Sequence, residues 1–408
     1  MKLLIRVLIA FILMTSVAWG ATYTVGSGGN YETFAVAFAA QSGVNTYQLI
    51  SDLTESVAPG ADEDGATIFL DGYTLTGHIY DSAADIDNFT ILGPGTITNT
   101  SGNGVYFIGG GDATVVSLVT IGPVQNHGIW IEGSANTIVS YCTVHNSGTS
   151  GSASDDNIHI ENSSNFIIEY NLSYSPQLGG AIDPSDSGAL TNIGIIRGNK
   201  VHTGYGTVSL IKVSGDNEGS AYDVYSNIAY NSYSGIGVTG SADANIYNNT
   251  VYNMSYNGMS NLSTGTVNFT NNILHTIARG FIFNEAPATC DNNDVYNLTF
   301  YRAKVASTDY YTLTNLQDGT TYADSSIDSD PLFISATNFH LMYNSPAIGA
   351  GADLGSTYSI GLGGNDQYDC RQSDAWDLGA LPYCEGGKAR YNASGITGGY
   401  SAAGGTVE

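Results

Sequence analysis

Positive charge is what this sequence most lacks: 11 Lys and Arg stand against 37 Asp and Glu, a formal net charge of −26 at pH 7. Two of the basic residues, Lys2 and Arg6, lie at the extreme start, so the rest of the chain is poorer still. A body this acidic repels nucleic acid and anionic membrane surfaces, which excludes both as partners. Clustered carboxylates are instead hard oxygen ligands of the kind Ca2+ prefers. Cysteine is scarce as well. Cys142, Cys290, Cys370 and Cys384 are the whole set, and none is grouped with histidine tightly enough for a zinc site. Cys370 and Cys384 share a Gly- and Asp-rich stretch and are expected to pair as a disulfide in an oxidising compartment. Cys142 and Cys290 fall inside repeats and read as small buried apolar residues. Long hydrophobic runs are missing after Met14, which excludes a membrane-spanning helix there.

What is abundant points to short strands and tight turns, with 51 Gly and 28 Tyr beside many Asn and Ser. Residues 1–20 have the three parts of a secretory signal: Lys2 and Arg6, the apolar Val7 to Met14, and Ala18-Trp19-Gly20 before the expected cut. The mature chain is therefore expected to be secreted. Two patterns then alternate. The first is an apolar-x-apolar strand led by Val105, Ile129, Ile158, Ile182, Ile211, Ile236 and Met259, at steps of 23 to 29 residues. The second, Asn-x-apolar-aromatic, is led by Asn171, Asn199, Asn227, Asn249, Asn272 and Asn293, with Cys142 in the same place one repeat earlier. A repeat of this length with period-2 alternation means stacked coils, each supplying a strand to each sheet. The asparagines are expected to take the left-handed conformation at a corner and to bond one another up the stack. Before the coils, Tyr31 to Ala40 reads as an amphipathic helix that closes the open end.

The isoleucine strands and the asparagine column together resemble the pectate-lyase-like superfamily, over roughly Ile68 to Tyr301. The resemblance implies an all-β, single-stranded right-handed parallel β-helix with an N-terminal capping helix. The expected division is a cap over 21–67, coils over 68–305, a C-terminal segment over 306–385 and a Gly/Ser-rich tail over 386–408. The C-terminal segment, with Asp330-Pro331-Leu332-Phe333 and Ser345-Pro346-Ala347-Ile348-Gly349, resembles the anchor-associated segment of bacterial secreted β-helix proteins.

Register sorts the candidate functional residues. His145, His202 and His275 share a column with Tyr174, Tyr230, Tyr252 and Tyr296 and read as members of an aromatic stack. His78, His127 and His340 show no partner in sequence. The outward column of the isoleucine strands reads Tyr106, Trp130, His159, Asp183, Lys212, Gly237, Ser260, so a base, a carboxylate and a cation stand in line beside two aromatic platforms. Glu132 and Glu161 lead the next outward column, and long loops flank the same coils. This reads as a carbohydrate groove, with Trp130, Tyr106, Glu132 and Glu161 contacting substrate.

Superfamily resemblance implies elimination at a uronate, with Asp155, Asp156, Asp183 and Asp186 as Ca2+ ligands, Lys212 as base and His159 as auxiliary acid. Alginate epimerases carry Asp-Pro-His-Asp where this chain has Asp183-Pro184-Ser185-Asp186, and no Gly-His-Gly of the polygalacturonase kind occurs. A lyase-like enzyme on a uronic-acid polysaccharide, acting as a monomer, ranks first. A non-catalytic glycan-binding or adhesive surface protein, or a hydrolase or epimerase of the same fold, remains the alternative.

Overall fold

The computed structural model describes residues 20–381 except 82–85, 110–111, 153–154, 187–190, 217–218, 285 and 355–375, together with the strands Ala389–Arg390 and Gly399–Tyr400. The expected signal and the expected Cys370–Cys384 pair lie outside the described residues.

Alternation of apolar and polar residues decides each strand. Ile129–Glu132 turns Ile129 and Ile131 inward and Trp130 and Glu132 outward, and Ile158–Glu161 repeats this one coil on. Coils stack in parallel register, with Val105 over Ile129, then Ile158, Ile182, Ile211 and Ile236. All six are essentially inaccessible to solvent. Each such side chain contributes about 1.5–3 kcal/mol of burial, so a column of them supplies an axial core. The result is an all-β parallel solenoid of about 11 turns.

Three strands make up a middle coil. Ile138–Ser140 belongs to a twelve-stranded sheet, Thr143–His145 to the asparagine-led face and Ile158–Glu161 to the isoleucine face, the last two merging in one nineteen-stranded sheet. The twelve-stranded face escapes the two sequence patterns. Its strands, such as Val115–Ser117 and Ile193–Arg197, carry runs of Val and Ile with no marker residue.

On the asparagine face, Asn171, Asn199, Asn227, Asn249 and Asn272 each donate Nδ2 to Oδ1 of the next asparagine at 3.0–3.1 Å, ending on Asn293. The corner conformation, however, sits one residue earlier than expected. Tyr141, Tyr170, Gly198, Ser226, Asn248, Asn271 and Asn292 hold φ between 51° and 64°. The asparagine that follows each of the last six is fully buried, with its backbone N–H pointed at the next rung as well, so the turn falls to its neighbour.

Both ends are closed. The helix Phe34–Ala40 is capped by Thr33, and the Glu55 carboxylate accepts from the N–H groups of Phe34 and Ala35 at 2.8 Å. Phe34 and Ala37 seal the first coils, while Leu316 of the helix Leu313–Gly319 does so at the other end. The C-terminal segment then returns along the outside of the asparagine face. Phe339 packs on Tyr230 and Tyr252, Leu341, Ala347 and Leu378 pack on Ile273, and Ala380 N–H donates to Thr250 Oγ1 at 3.0 Å. Among the described residues no helix is long and apolar enough to cross a membrane.

Candidate active site

The register of the isoleucine face brings the expected column together. Tyr106 pairs with Trp130, Trp130 with His159 and His159 with Asp183. Glu132 pairs with Glu161 in the next outward column. Tyr106 and Trp130 meet ring to ring at 4.9 Å. Trp130 Nε1 is buried with no hydrogen-bond partner.

His159 sits between carboxylates. Its Nδ1 is 3.0 Å from Asp156 Oδ2 and its Nε2 is 3.5 Å from Glu161 Oε2. Burial alone would lower its pKa, but the bonds to Asp156 and Glu161 outweigh that and hold the ring protonated. Burial, and then Asp183, raise Asp156 as well, above the usual carboxylate range. Burial followed by Glu161 likewise raises Glu132. Asp156 owes its position to glycine. Its Oδ1 accepts from Gly180 N–H, and a Cβ on Gly179 would lie 2.6 Å from that oxygen and 2.3 Å from the Asp155 carbonyl.

His127 is the residue that sequence reasoning missed. Its ring lies 4.9 Å from both Trp130 and His159, and its Nδ1 accepts the backbone N–H of Asp156 at 3.0 Å. That bond consumes the ring's lone pair, so neutral His127 carries its proton on Nε2, 3.9 Å from Asp155 Oδ1. Burial, and then His159, push its pKa down to about 3, which makes it a neutral donor over the working range. A signal existed. His127 stands three residues before Trp130, as Asp156 stands three before His159.

Lys212 donates Nζ to Asp183 Oδ2 at 2.9 Å. Burial would lower the lysine's pKa, yet Asp183 outweighs it and holds the ammonium charged. The other oxygen, Asp183 Oδ1, is buried without a partner.

The four aspartates named for Ca2+ do not converge. Asp186 accepts from Asp216 N–H and Ser220 Oγ, which occupies both its oxygens within the loop, and Asp155 accepts from Ser150 Oγ. Among the described residues, the His, Cys, Asp and Glu trio whose ligand atoms lie within 4.8 Å of one another is His127, Asp156 and His159. His127 fits a metal poorly there, because its only lone pair is already bonded. Of the four, the Asp156–Asp183 pair comes nearest to a hard-cation site, with Asp183 Oδ1 orphaned and mutual repulsion to relieve, although both Asp156 oxygens already face the Gly180 N–H and His159 Nδ1.

The other histidines lie in aromatic columns or in the fold. His145, Tyr174 and His202 stack at 5.0 and 5.2 Å, and Tyr252 and His275 at 5.2 Å. His78 meets Asn99, and His340 is buried in the returning segment.

No protein-family model and no curated protein matches the chain. Among solved structures it is similar to the crystal structure of pectate lyase Pel9A, at TM-score 0.57 and 14% identity, over 91% of this chain and 98% of that one. A catalytic domain of a GH87 alpha-1,3-glucanase in complex with tetrasaccharides is more distant, at TM-score 0.31 and 12% identity over 70% of this chain and 58% of that one. The likeness to Pel9A is one of fold, a parallel β-helix.

Proposed function

We propose that the isoleucine face from Tyr106 to Lys212 acts on a uronic-acid-containing polysaccharide by β-elimination, outside the cell and as a monomer. The observation that carries this reading is Asp183, gripped on one oxygen by Lys212 and buried without a partner on the other, on a face with two aromatic platforms. Similarity in fold to a pectate lyase supports it.

Elimination requires that the sugar carboxylate be neutralised, that the proton beside it be removed and that the departing oxygen be protonated. A Ca2+ held by Asp156 and Asp183 would supply the neutralising charge. Lys212 is the base, and it can accept a proton only when the Asp183 charge is engaged elsewhere, because that carboxylate otherwise keeps the ammonium intact. His159, kept protonated by Asp156 and Glu161, gives its proton to the departing oxygen. His127 offers Nε2–H to a sugar hydroxyl, and Tyr106 and Trp130 carry the ring faces of the polymer.

The charge state of the cluster favours one rival. Lys212 and His159 are both held cationic, which suits capture of an acidic glycan without turnover. Two variants separate the readings. In the lyase reading, Lys212→Ala abolishes unsaturated product while the melting temperature stays put, and Asp183→Asn raises the Ca2+ concentration needed. If wild-type protein binds polyuronate, yields no product, and merely binds more weakly as Lys212→Ala, the glycan-binding reading wins.

A further inference from the structure

The column that begins with His127 and Asp156 continues past the proposed centre and ends in a cation without an anion. Position for position it runs through Ser209 and Ser234, then Asn257, Arg279 and Tyr301, each three residues before the outward column that holds Trp130, His159 and Lys212. The bonds of Asp156 to His159 and the ring contact of His127 with Trp130 show that this flank packs against that outward column. At its far end Tyr233 stacks on Tyr256 at 4.7 Å, the Arg279 guanidinium lies over the Tyr256 ring at 3.9 Å, and Tyr301 follows at 5.9 Å.

Arg279 differs from Arg197 and Arg302. Arg197 pairs with Glu169 at 2.7 Å and Arg302 with Asp328 at 2.8 Å. Among the described residues no carboxylate lies within 4.0 Å of Arg279 and none of its five N–H donors has an acceptor, although the chain carries 37 Asp and Glu. Its π face is satisfied and its hydrogen-bonding edge is not. One rung earlier, Asn257 Oδ1 is buried without a partner in the same column. A planar fork held flat on an aromatic ring is preorganised for a bidentate carboxylate, and a stack built only for stability would leave fewer donors bare.

We propose that Arg279, braced by Tyr256, is a docking position for the carboxylate of a second uronate unit on the polymer whose reacting unit lies at Lys212, with the unpartnered Asn257 Oδ1 one rung earlier left to accept from a sugar hydroxyl. The inference rests on the polyuronate reading above and extends it to a subsite. Lys212 and Arg279 are separated by three coil spacings, through Gly237 and Ser260 to Ile282, which is about 14 Å along the axis. An oligosaccharide bridges that distance and a single sugar does not. The sites therefore select for chain length as well as for charge.

Affinity of the full chain for polygalacturonate and for alginate, measured by titration calorimetry beside fully methyl-esterified polygalacturonate, tests this. Arg279→Gln removes the charge while keeping a planar amide over Tyr256. It should weaken binding of the acidic polymer about tenfold, the scale of one charge-assisted hydrogen bond, and leave the esterified polymer unaffected. Arg279→Lys, which keeps the charge, should lose less, so that a folding defect in one variant does not decide the matter. Wild-type affinity in Arg279→Gln, while wild-type protein binds the acidic polymer and releases unsaturated product from it, would overturn the subsite and leave the proposed function standing. Failure of wild-type protein to bind either acidic polymer would overturn both.

Discussion

Asn227 offers the sharpest test of what holds the coils together, because its side chain bonds in four directions and is fully buried. Nδ2 donates to the Ile196 carbonyl at 2.8 Å and to Asn249 Oδ1 at 3.0 Å. Oδ1 accepts from the backbone N–H and from Nδ2 of Asn199, both at 3.0 Å. Asn227→Ala deletes all four bonds at once. Asn249 Oδ1 keeps the Asn227 N–H and Asn199 Nδ2 keeps the Ile168 carbonyl, so those neighbours are only partly deprived. The Asn199 N–H loses its acceptor in a place water does not reach, and an orphaned buried donor costs about 1–3 kcal/mol. Adding the net worth of the lost inter-asparagine bonds, about 1 kcal/mol each, gives a destabilisation of about 3–5 kcal/mol. The assay is a guanidinium unfolding curve, in which the midpoint should fall with little change in slope, since the area exposed on unfolding is nearly the same. A loss below about 1 kcal/mol would show that the ladder organises the corner without stabilising it.

Removing one buried member of the isoleucine column by Ile211→Ala should cost about 2–5 kcal/mol in the same assay, and a negligible loss would place that residue outside the core. Burial pushes the Asp294 carboxyl up to about 8, so its contribution is complete below the unfolded value and is lost as pH rises through about 8. Asp294→Asn should therefore flatten the fall in melting temperature between mildly acidic and mildly alkaline pH, and an unchanged profile refutes the assignment. Gly179→Ala forces a Cβ against Asp156 Oδ1 and the Asp155 carbonyl, and should impair turnover of the polymer more than it lowers the melting temperature. Equal activity in that variant would mean that Asp156 need not sit where it does.

Much of the stacking was legible because period-2 strands in a fixed register leave no freedom. Once Ile129 and Ile158 face inward, Trp130 and His159 must face outward and touch. The asparagine column was visible for the same reason, but the residue that makes its corner was not. Both the asparagine and its predecessor are compatible with a turn, and only the buried N–H decides between them. The twelve-stranded face was hidden because its strands are marked by nothing except Val and Ile. His127 and Arg279 were hidden differently. They stand in the flanking column, where register is set across coils, and their partners Asp156 and Tyr256 lie a coil away in sequence. The return of Phe339 and Leu341 along the asparagine face is likewise a contact between distant segments, which no local pattern announces.

Elimination across a uronate by the face from Tyr106 to Lys212 is tested most directly by incubating the purified protein with Ca2+ and, in turn, alginate, polygalacturonate and glycosaminoglycans while following ultraviolet absorbance. A steady rise with one polymer, absent in Lys212→Ala and lost on chelation, is the predicted result. No rise with any of them, from protein that is folded and binds an acidic polymer, would contradict it.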